Sequence, residues 1–411
     1  MKNFTASVRD AERALRELFQ PTPLQRNDFL STRYGADIWL KREDLTPVRS
    51  YKLRGAFNAM RKLEGGQQHV VCASAGNHAQ GVAYACQHFG ARGTIFMPVT
   101  TPGQKIDKTR AFGGDAVTIR LVGDYFDQTL TAAQEFARAE GAVFLPPFDS
   151  LDVIEGQATI AQEIMEQMGG APDLIVLPVG GGGLAAGVTA WFAENAPATR
   201  FAFAEPEGGA SLMAALRQGG PVTLPRVDSF VDGAAVARIG DLPFAQLAGF
   251  KPGQVFLAPE DRICITMIEM LNTEGIVLEP AGALAIDALR DIPDLEGRRV
   301  VCLCSGGNFD FERLPEVKER SQRFAGLKKY FILRMPQRPG ALREFLAMLG
   351  PDDDIARFEY LKKSARNFGS VLIGIETSDP MNLHRLMNQL EAAGFAYRDI
   401  TQDAILAEFL I

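Results

Sequence analysis

Four consecutive glycines, Gly180 to Gly183, follow the apolar run from Asp173 to Val179 and precede Leu184-Ala-Ala-Gly187. A run without side chains between a strand-like and a helix-like segment commits the backbone to a tight strand-to-helix turn. There several N–H groups converge at the positive end of a helix, and the natural guest is a phosphate. Three readings compete. Gly181-x-Gly183-x-x-Ala186 satisfies the loose dinucleotide fingerprint, with Glu205 ending the next strand-like segment about twenty residues on. The second reading is a cup for a smaller phosphate-bearing cofactor, and the third is a helix–strand packing turn without a ligand. A P-loop is excluded, because the sequence has no Gly-Lys dipeptide to supply its lysine.

Composition narrows the partners. With 411 residues, two or three domains are expected. Its 46% hydrophobic and 23% charged residues are those of an ordinary globular protein. A net charge of −7 offers no basic footprint for nucleic acid or an anionic membrane. Leu174 to Ala193 is uncharged and long enough to span a bilayer, but Pro178 and the glycines would leave backbone groups unsatisfied in lipid. Five cysteines (Cys72, Cys86, Cys264, Cys302 and Cys304) form no C-x-x-C. That odd count without a signal peptide reads as a reducing cytoplasm. His69, His78, His88 and His384 show no paired ligand spacing, so no metal is expected.

Strand-like and helix-like segments alternate through the first three hundred residues, which predicts a doubly wound α/β body with a largely parallel sheet. Strands are expected at 69–73, 92–97, 115–121, 173–179, 200–204 and 299–304, and helices at 77–89, 102–112 and 125–139. The pattern changes near Arg320-Ser-Gln-Arg-Phe-Ala-Gly326. Strands at 328–334, 355–362, 370–375 and 397–401, with helices at 341–349 and 382–393, give the ferredoxin-like order βαββαβ. This tail lacks a cluster of catalytic side-chain types, so a regulatory or oligomer-forming role is expected.

Four constellations fall at strand-to-helix junctions: Ser50-Tyr51-Lys52, Ser74-Ala-Gly-Asn-His-Ala-Gln-Gly81, Gly180 to Leu184, and Cys304-Ser-Gly-Gly-Asn308. Together they resemble the tryptophan-synthase-beta-like (fold type II) pyridoxal-phosphate enzymes, and within these the threonine deaminase (threonine ammonia-lyase or dehydratase) family. Ser50-Tyr-Lys-Leu-Arg-Gly-Ala56 and Ser74–Gly81 match its motifs intact, and Pro21-Thr-Pro-Leu24, Lys41-Arg-Glu-Asp44 and Leu278-Glu-Pro-Ala-Gly-Ala283 also fit. The resemblance spans the whole chain. It implies pyridoxal 5′-phosphate as cofactor, with Lys52 as its Schiff-base lysine and Tyr51 packed near its ring. Gly180, Gly181, Gly182, Gly183 and Leu184 would hold its phosphate. Ser74, Ala75, Gly76 and Asn77 would clamp the substrate carboxylate, with Asn77 also facing the cofactor's 3′-oxygen. His78 in the same loop is read as structural or as a further substrate contact.

Ser305 would face the pyridine nitrogen. A neutral partner leaves that nitrogen largely unprotonated, so loss of a β-leaving group should prevail over transamination. The implied reaction is the deamination of L-threonine to 2-oxobutanoate and ammonia, which opens isoleucine biosynthesis. Serine dehydratase or serine racemase chemistry is the alternative within the fold, and an NAD-dependent oxidoreductase the alternative outside it. Relatives can hold a cation at the position of Glu205, but Gly209 and Ser211 follow where a second carboxylate would be needed. The tail resembles one ACT-like regulatory domain, implying isoleucine or valine as effectors, and the family implies a homotetramer. The expected organisation is a catalytic domain of two α/β subdomains over 1–320, a linker at 321–327 and an ACT-like domain over 328–411.

Overall fold

The structure is a computed structural model and describes residues 3–63, 68–361 and 367–403. Two compact units are present, one of residues 1–260 with 270–310 and one of 261–269 with 311–411. In the first unit the strands are β1 (Leu24–Arg26), β2 (Asp37–Arg42), β3 (His69–Ala73), β4 (Arg92–Met97), β5 (Val117–Leu121), β6 (Val143–Phe144), β7 (Leu174–Pro178), β8 (Arg200–Pro206), β9 (Val255–Ala258) and β10 (Arg299–Cys304). The second unit holds β11 (Lys328–Pro336), β12 (Asp353–Leu361), β13 (Phe368–Thr377) and β14 (Ala396–Asp399).

The alternation anticipates a largely parallel sheet, and the parallel strands are divided between two. One runs β1-β2-β10-β7-β8-β9 and the other β5-β4-β3-β6. All neighbours are parallel except β1 on β2. Strand β7 is buried along its whole length, as a central parallel strand covered on both faces must be, hence its unbroken Leu-Ile-Val-Leu-Pro sequence. Pro178 falls at its last position, where its missing N–H does least harm to the ladder. The larger core gathers Ile175, Leu177, Val301 and Leu303 from the sheet with Ile160, Ile164, Val188 and Phe192 from the helices Leu151–Met168 and Gly183–Asn195. A smaller core packs Val70, Cys72 and Ile95 against Ala79, Val82 and Cys86 of the helix Asn77–Phe89.

Parallel strands place ligands at their carboxyl ends. Ser74, Gly180 and Ser305 stand there, just beyond β3, β7 and β10.

Beneath the helix Lys52–Arg61 lies a buried charge cluster. The Arg54 guanidinium meets Glu43 through Nε (2.7 Å) and Glu163 through Nη1 (2.7 Å), and Lys41 Nζ reaches Glu163 at 2.6 Å. Thr22 and Thr159 complete it, and Arg16 reaches Glu163 from a more exposed position.

The second unit has the order βαββαβ, with helices Ala341–Leu346 and Pro380–Ala392 and an antiparallel sheet ordered β12-β13-β11-β14. Phe331, Leu333, Val371 and Ile373 face Leu383, Leu386 and Leu390 across its core. Asp379 caps the second helix by accepting from Met381 N (2.9 Å), with Pro380 at the first helical position. The helix expected at 341–349 stops at Leu346, and the strand expected from 115 starts at Val117 after a 3-10 turn over Gly114–Ala116. The helix Leu314–Phe324 runs through residues 321–324 of the expected linker. Lys362, the expected end of its strand, lies outside the described residues.

Candidate active site

Lys52 opens the helix Lys52–Arg61. The preceding loop is pinned on itself, since Thr46 Oγ1 donates to Ser50 O (2.9 Å) and accepts from Ser50 N (2.8 Å). It is also pinned to the turn after β10, through a bridge between Ser50 and Gly306 and the bond from Tyr51 N to Ser305 O (3.2 Å). Gly81 lets the helix Asn77–Phe89 approach the same point, because a Cβ there would stand 3.2 Å from the Lys52 carbonyl. Three motifs distant in sequence therefore meet at one lysine.

The Lys52 side chain is half-buried and donates to Pro147 O at 3.0 Å. Its Nζ lies 5.4 Å from the Tyr51 ring centroid and 5.9 Å from that of Phe148. Burial pulls its pKa down to about 8, against an opposing pull from Glu279. Roughly a tenth of the amine is then uncharged at pH 7, where an ordinary lysine is almost wholly charged. That is the property a nucleophilic amine requires.

Gly180, Gly181 and Gly182 cross from β7 to the helix Gly183–Asn195, with Gly182 at φ +87°. Among the described residues no acceptor takes a hydrogen bond from these three amides. They add to the free N–H groups of the helix's first turn, which begins with Gly183 and the buried Leu184. Phe148 lies across the loop: a Cβ on Gly181 would come within 2.1 Å of its ring, and one on Gly183 within 3.0 Å of its carbonyl oxygen. Phe148 thus joins the glycine turn to Lys52.

Ser74, Ala75 and Gly76 form the turn after β3, where Ser74 Oγ accepts from Gly76 N (3.2 Å). Asn77 begins the helix and donates through Nδ2 to Glu279 Oε1 at 2.7 Å. Its Oδ1 accepts from Asn308 Nδ2 at 2.7 Å. His78 is turned into the core, its Nε2 3.0 Å from Leu145 O, and burial with nearby Lys52 pushes its pKa down to about 3. It is a neutral packing side chain, and what it can offer an anion is its backbone N–H. Ser305 is buried and donates to Ala281 O at 3.1 Å.

Sequence reasoning assigned no role to Phe148, Glu279 or Asn308. Glu279 stood in the quoted Leu278–Ala283 motif and Asn308 closed the Ser305 turn, so both were visible as motif members. Phe148 follows a Pro-Pro pair and carries no chemical signal. The dinucleotide reading fails on Glu205, whose Oε1 and Oε2 accept from Leu212 N (2.7 Å) and Met213 N (2.9 Å). Both oxygens cap the helix Ser211–Gln218 and neither is open to a ribose. Among the described residues no group of three or more His, Cys, Asp or Glu is arranged to hold a metal, and no helix is long and apolar enough to cross a membrane.

The sequence pattern of the family described as pyridoxal-phosphate dependent enzyme matches residues 15–306, and that of the C-terminal regulatory domain of threonine dehydratase matches 319–410. The chain belongs to the threonine dehydratase family of pyridoxal-phosphate-dependent enzymes. It is 44% identical to the biosynthetic L-threonine dehydratase IlvA of Halalkalibacterium halodurans, over 98% of this chain and 97% of that one. The processed form of threonine deaminase isoform 2 from Solanum lycopersicum superposes with a TM-score of 0.72 at 37% identity, covering 78% of this chain and 94% of that one. Maize serine racemase gives 0.70 at 25% identity, covering 78% and 98%. The fold type II body and the regulatory domain are those expected from the motifs.

The residues present fit pyridoxal phosphate. Three glycine amides without acceptors among the described residues suit its phosphate, a lysine of lowered pKa suits its aldehyde, and a buried hydroxyl suits its ring nitrogen. A Gly181→Ala change drives a methyl into the Phe148 ring. It is expected to raise the dissociation constant for pyridoxal phosphate about tenfold or more in an absorbance titration. An unchanged constant would show that Phe148 simply yields.

Proposed function

We propose that this chain converts L-threonine to 2-oxobutanoate and ammonia, the step that commits carbon to isoleucine, under feedback by isoleucine through residues 328–411. The reading is carried by one observation: a half-buried amine of lowered pKa, Lys52, stands on a loop tied to Ser305. The chain's likeness to biosynthetic threonine dehydratases over 98% of its length supplies the substrate.

When bound, pyridoxal phosphate provides the electron sink for charge left on the substrate Cα. Backbone amides from Ser74 to Asn77 hold the substrate carboxylate at the start of the helix Asn77–Phe89. The Lys52 amine would take the Cα proton, and the β-hydroxyl would leave as water, using one proton in place of the one removed from Cα so that the elimination balances. The remaining enamine hydrolyses to 2-oxobutanoate and ammonia. Ser305 would set a neutral hydroxyl against the ring nitrogen, and a neutral partner favours elimination over transamination. Catalysis is assigned to residues 1–320, and a homotetramer in the cytoplasm is part of the same reading.

The test is keto-acid release by the purified protein from L-threonine and from L-serine, titrated with L-isoleucine. 2-Oxobutanoate release that falls with isoleucine is the expected result. Pyruvate from serine without product from threonine would overturn the substrate. Threonine turnover indifferent to isoleucine would overturn the effector alone.

A further inference from the structure

The hydrogen bonds around Asn77 have a fixed direction. Asn308 Nδ2 donates to both Val48 O (2.8 Å) and Asn77 Oδ1 (2.7 Å). A carbonyl can only accept, so the Asn308 amide cannot be reversed. Asn77 must therefore present its oxygen to Asn308 and its Nδ2 to Glu279, at 2.7 Å. One Nδ2 hydrogen is held by the carboxylate, and the second is left to point elsewhere. Among the described residues Asn308 Oδ1 is a buried acceptor without a partner.

Glu279 is placed with equal care. It is 5% exposed and stands just before the helix Pro280–Asp287. Two glycines make room for its carboxylate: a Cβ on Gly306 would stand 2.3 Å from Oε1, and one on Gly233 3.4 Å away. Beside Gly233, Asp232 forms an ion pair with Lys105 of the helix Gly103–Gly113. The charged and titratable groups that act with Glu279 are thus Asp232 from one loop, Lys105 and Lys108 from that helix, and Tyr51 and Lys52 from the start of the helix Lys52–Arg61.

We infer that Glu279 is a positioning residue that acts through Asn77, and that the Lys105–Asp232 ion pair governs its charge. The inference rests on the proposed dehydratase reading and assigns its site a residue and a control. The ionised carboxylate holds Asn77 with its free Nδ2 hydrogen aimed away from Glu279. A protonated one is a weaker acceptor and lets the amide drift. Burial and then Asp232 push the Glu279 pKa up, while Asn77 and Lys105 pull it down, leaving it at about 7. The competent state is therefore lost as pH falls through about 7.

Four full-length variants test this: Glu279→Gln, Glu279→Ala, Lys105→Met and Asp232→Asn. Each is read by the pH profile of kcat/KM on L-threonine and by the pH dependence of pyridoxal phosphate binding, followed by absorbance. Glu279→Gln fixes a neutral acceptor beside Asn77 at every pH and is expected to abolish the acid limb near pH 7, leaving a flat profile near the level the parent reaches below it. Glu279→Ala leaves Asn77 unheld and is expected to lower kcat about tenfold or more. Lys105→Met leaves Asp232 uncompensated and should move the limb up by about one pH unit, and Asp232→Asn should move it down by a similar amount. Opposite shifts from two variants outside the contact chain are a result that a merely structural role of Glu279 would not give. Superimposable profiles in Lys105→Met, Asp232→Asn and the parent overturn the inference, even if the Glu279 variants fail to fold. If the parent shows no threonine turnover, the proposed function fails, and the binding profiles still decide the role of Glu279.

Discussion

Lys52→Ala is expected to remove turnover of L-threonine by at least about 10³-fold while the protein stays folded. Two losses combine. The amine that takes the Cα proton is gone, and so is the group that holds the cofactor covalently, so the near-visible absorbance of the bound cofactor should disappear with it. Folding should not suffer. The Lys52 ammonium is held in a crowded, half-buried position where burial pulls its pKa down to about 8. The sign of the linkage follows: a lysine whose folded pKa lies below its unfolded value weakens the fold as pH falls from the ordinary lysine range to about 8, the window in which the unfolded chain binds the extra proton, and the full cost persists below it. Removing it relieves that cost, and the side-chain hydrogen bond lost among the described residues is the one to Pro147 O. The thermal midpoint of Lys52→Ala at neutral pH should therefore equal or exceed that of the parent. A variant that is stable but inactive and colourless supports the assignment. One retaining substantial dehydratase activity would falsify it.

The four motifs could be read in sequence because each is a local device. A glycine run, a Ser-Ala-Gly-Asn helix start and a Ser-Tyr-Lys turn carry their chemistry within a few residues, and all fall beyond strand ends or at helix starts. Element positions were legible for the same reason: 77–89 and 299–304 are occupied by one helix and one strand with those bounds. Pairing was not legible. Strand β10 lies between β2 and β7, and Val301 meets both Trp39 and Ile175, one more than two hundred and the other more than one hundred residues away along the chain. Hydrophobic alternation marks a strand as buried without naming its neighbours.

The same limit hid part of the site. Phe148 matters because its ring fills the space that side chains at Gly181 would need, and no pattern near residue 148 announces that. Glu279 reads in isolation as a carboxylate before a Pro-initiated helix; only the fold sets it against Asn77, two hundred residues earlier. His78 shows the converse. The sequence left it between a structural residue and a substrate contact, and its ring lies 3.0 Å from Leu145 O in the core.

Arg54→Met is the substitution with the largest expected effect on stability, about 3–5 kcal/mol. Arg54, Glu43, Glu163 and Lys41 have side chains with no exposed surface. Removing the guanidinium leaves Glu163 with Lys41 and Arg16, but among the described residues leaves Glu43 with no cation in ion-pair contact, only the Thr22 hydroxyl and the more distant charge of Lys41. A buried carboxylate without a counter-charge is what makes such a deletion expensive, more than the lost attraction itself. Acid should reveal the same cluster. Burial pushes the Glu163 carboxyl up, but Arg54 and Lys41 outweigh it and hold the group well below the usual carboxylate range. Its contribution is present above the ordinary carboxylate pKa and is lost as pH falls through the depressed value. Acid should therefore cost the parent more stability than it costs Arg54→Met, and the gap between their denaturant midpoints should narrow at low pH. Arg16→Met is the control: Arg16 is partly exposed and Glu163 keeps two other cations, so its midpoint should move little. The cluster also bears on catalysis, because Arg54 stands two residues from Lys52 in the first turn of one helix. Loosening that turn should lower kcat in whatever fraction of Arg54→Met remains folded, with a smaller effect on KM. Equal midpoints for Arg54→Met and the parent at neutral pH would mean that the cluster does not hold this helix in place.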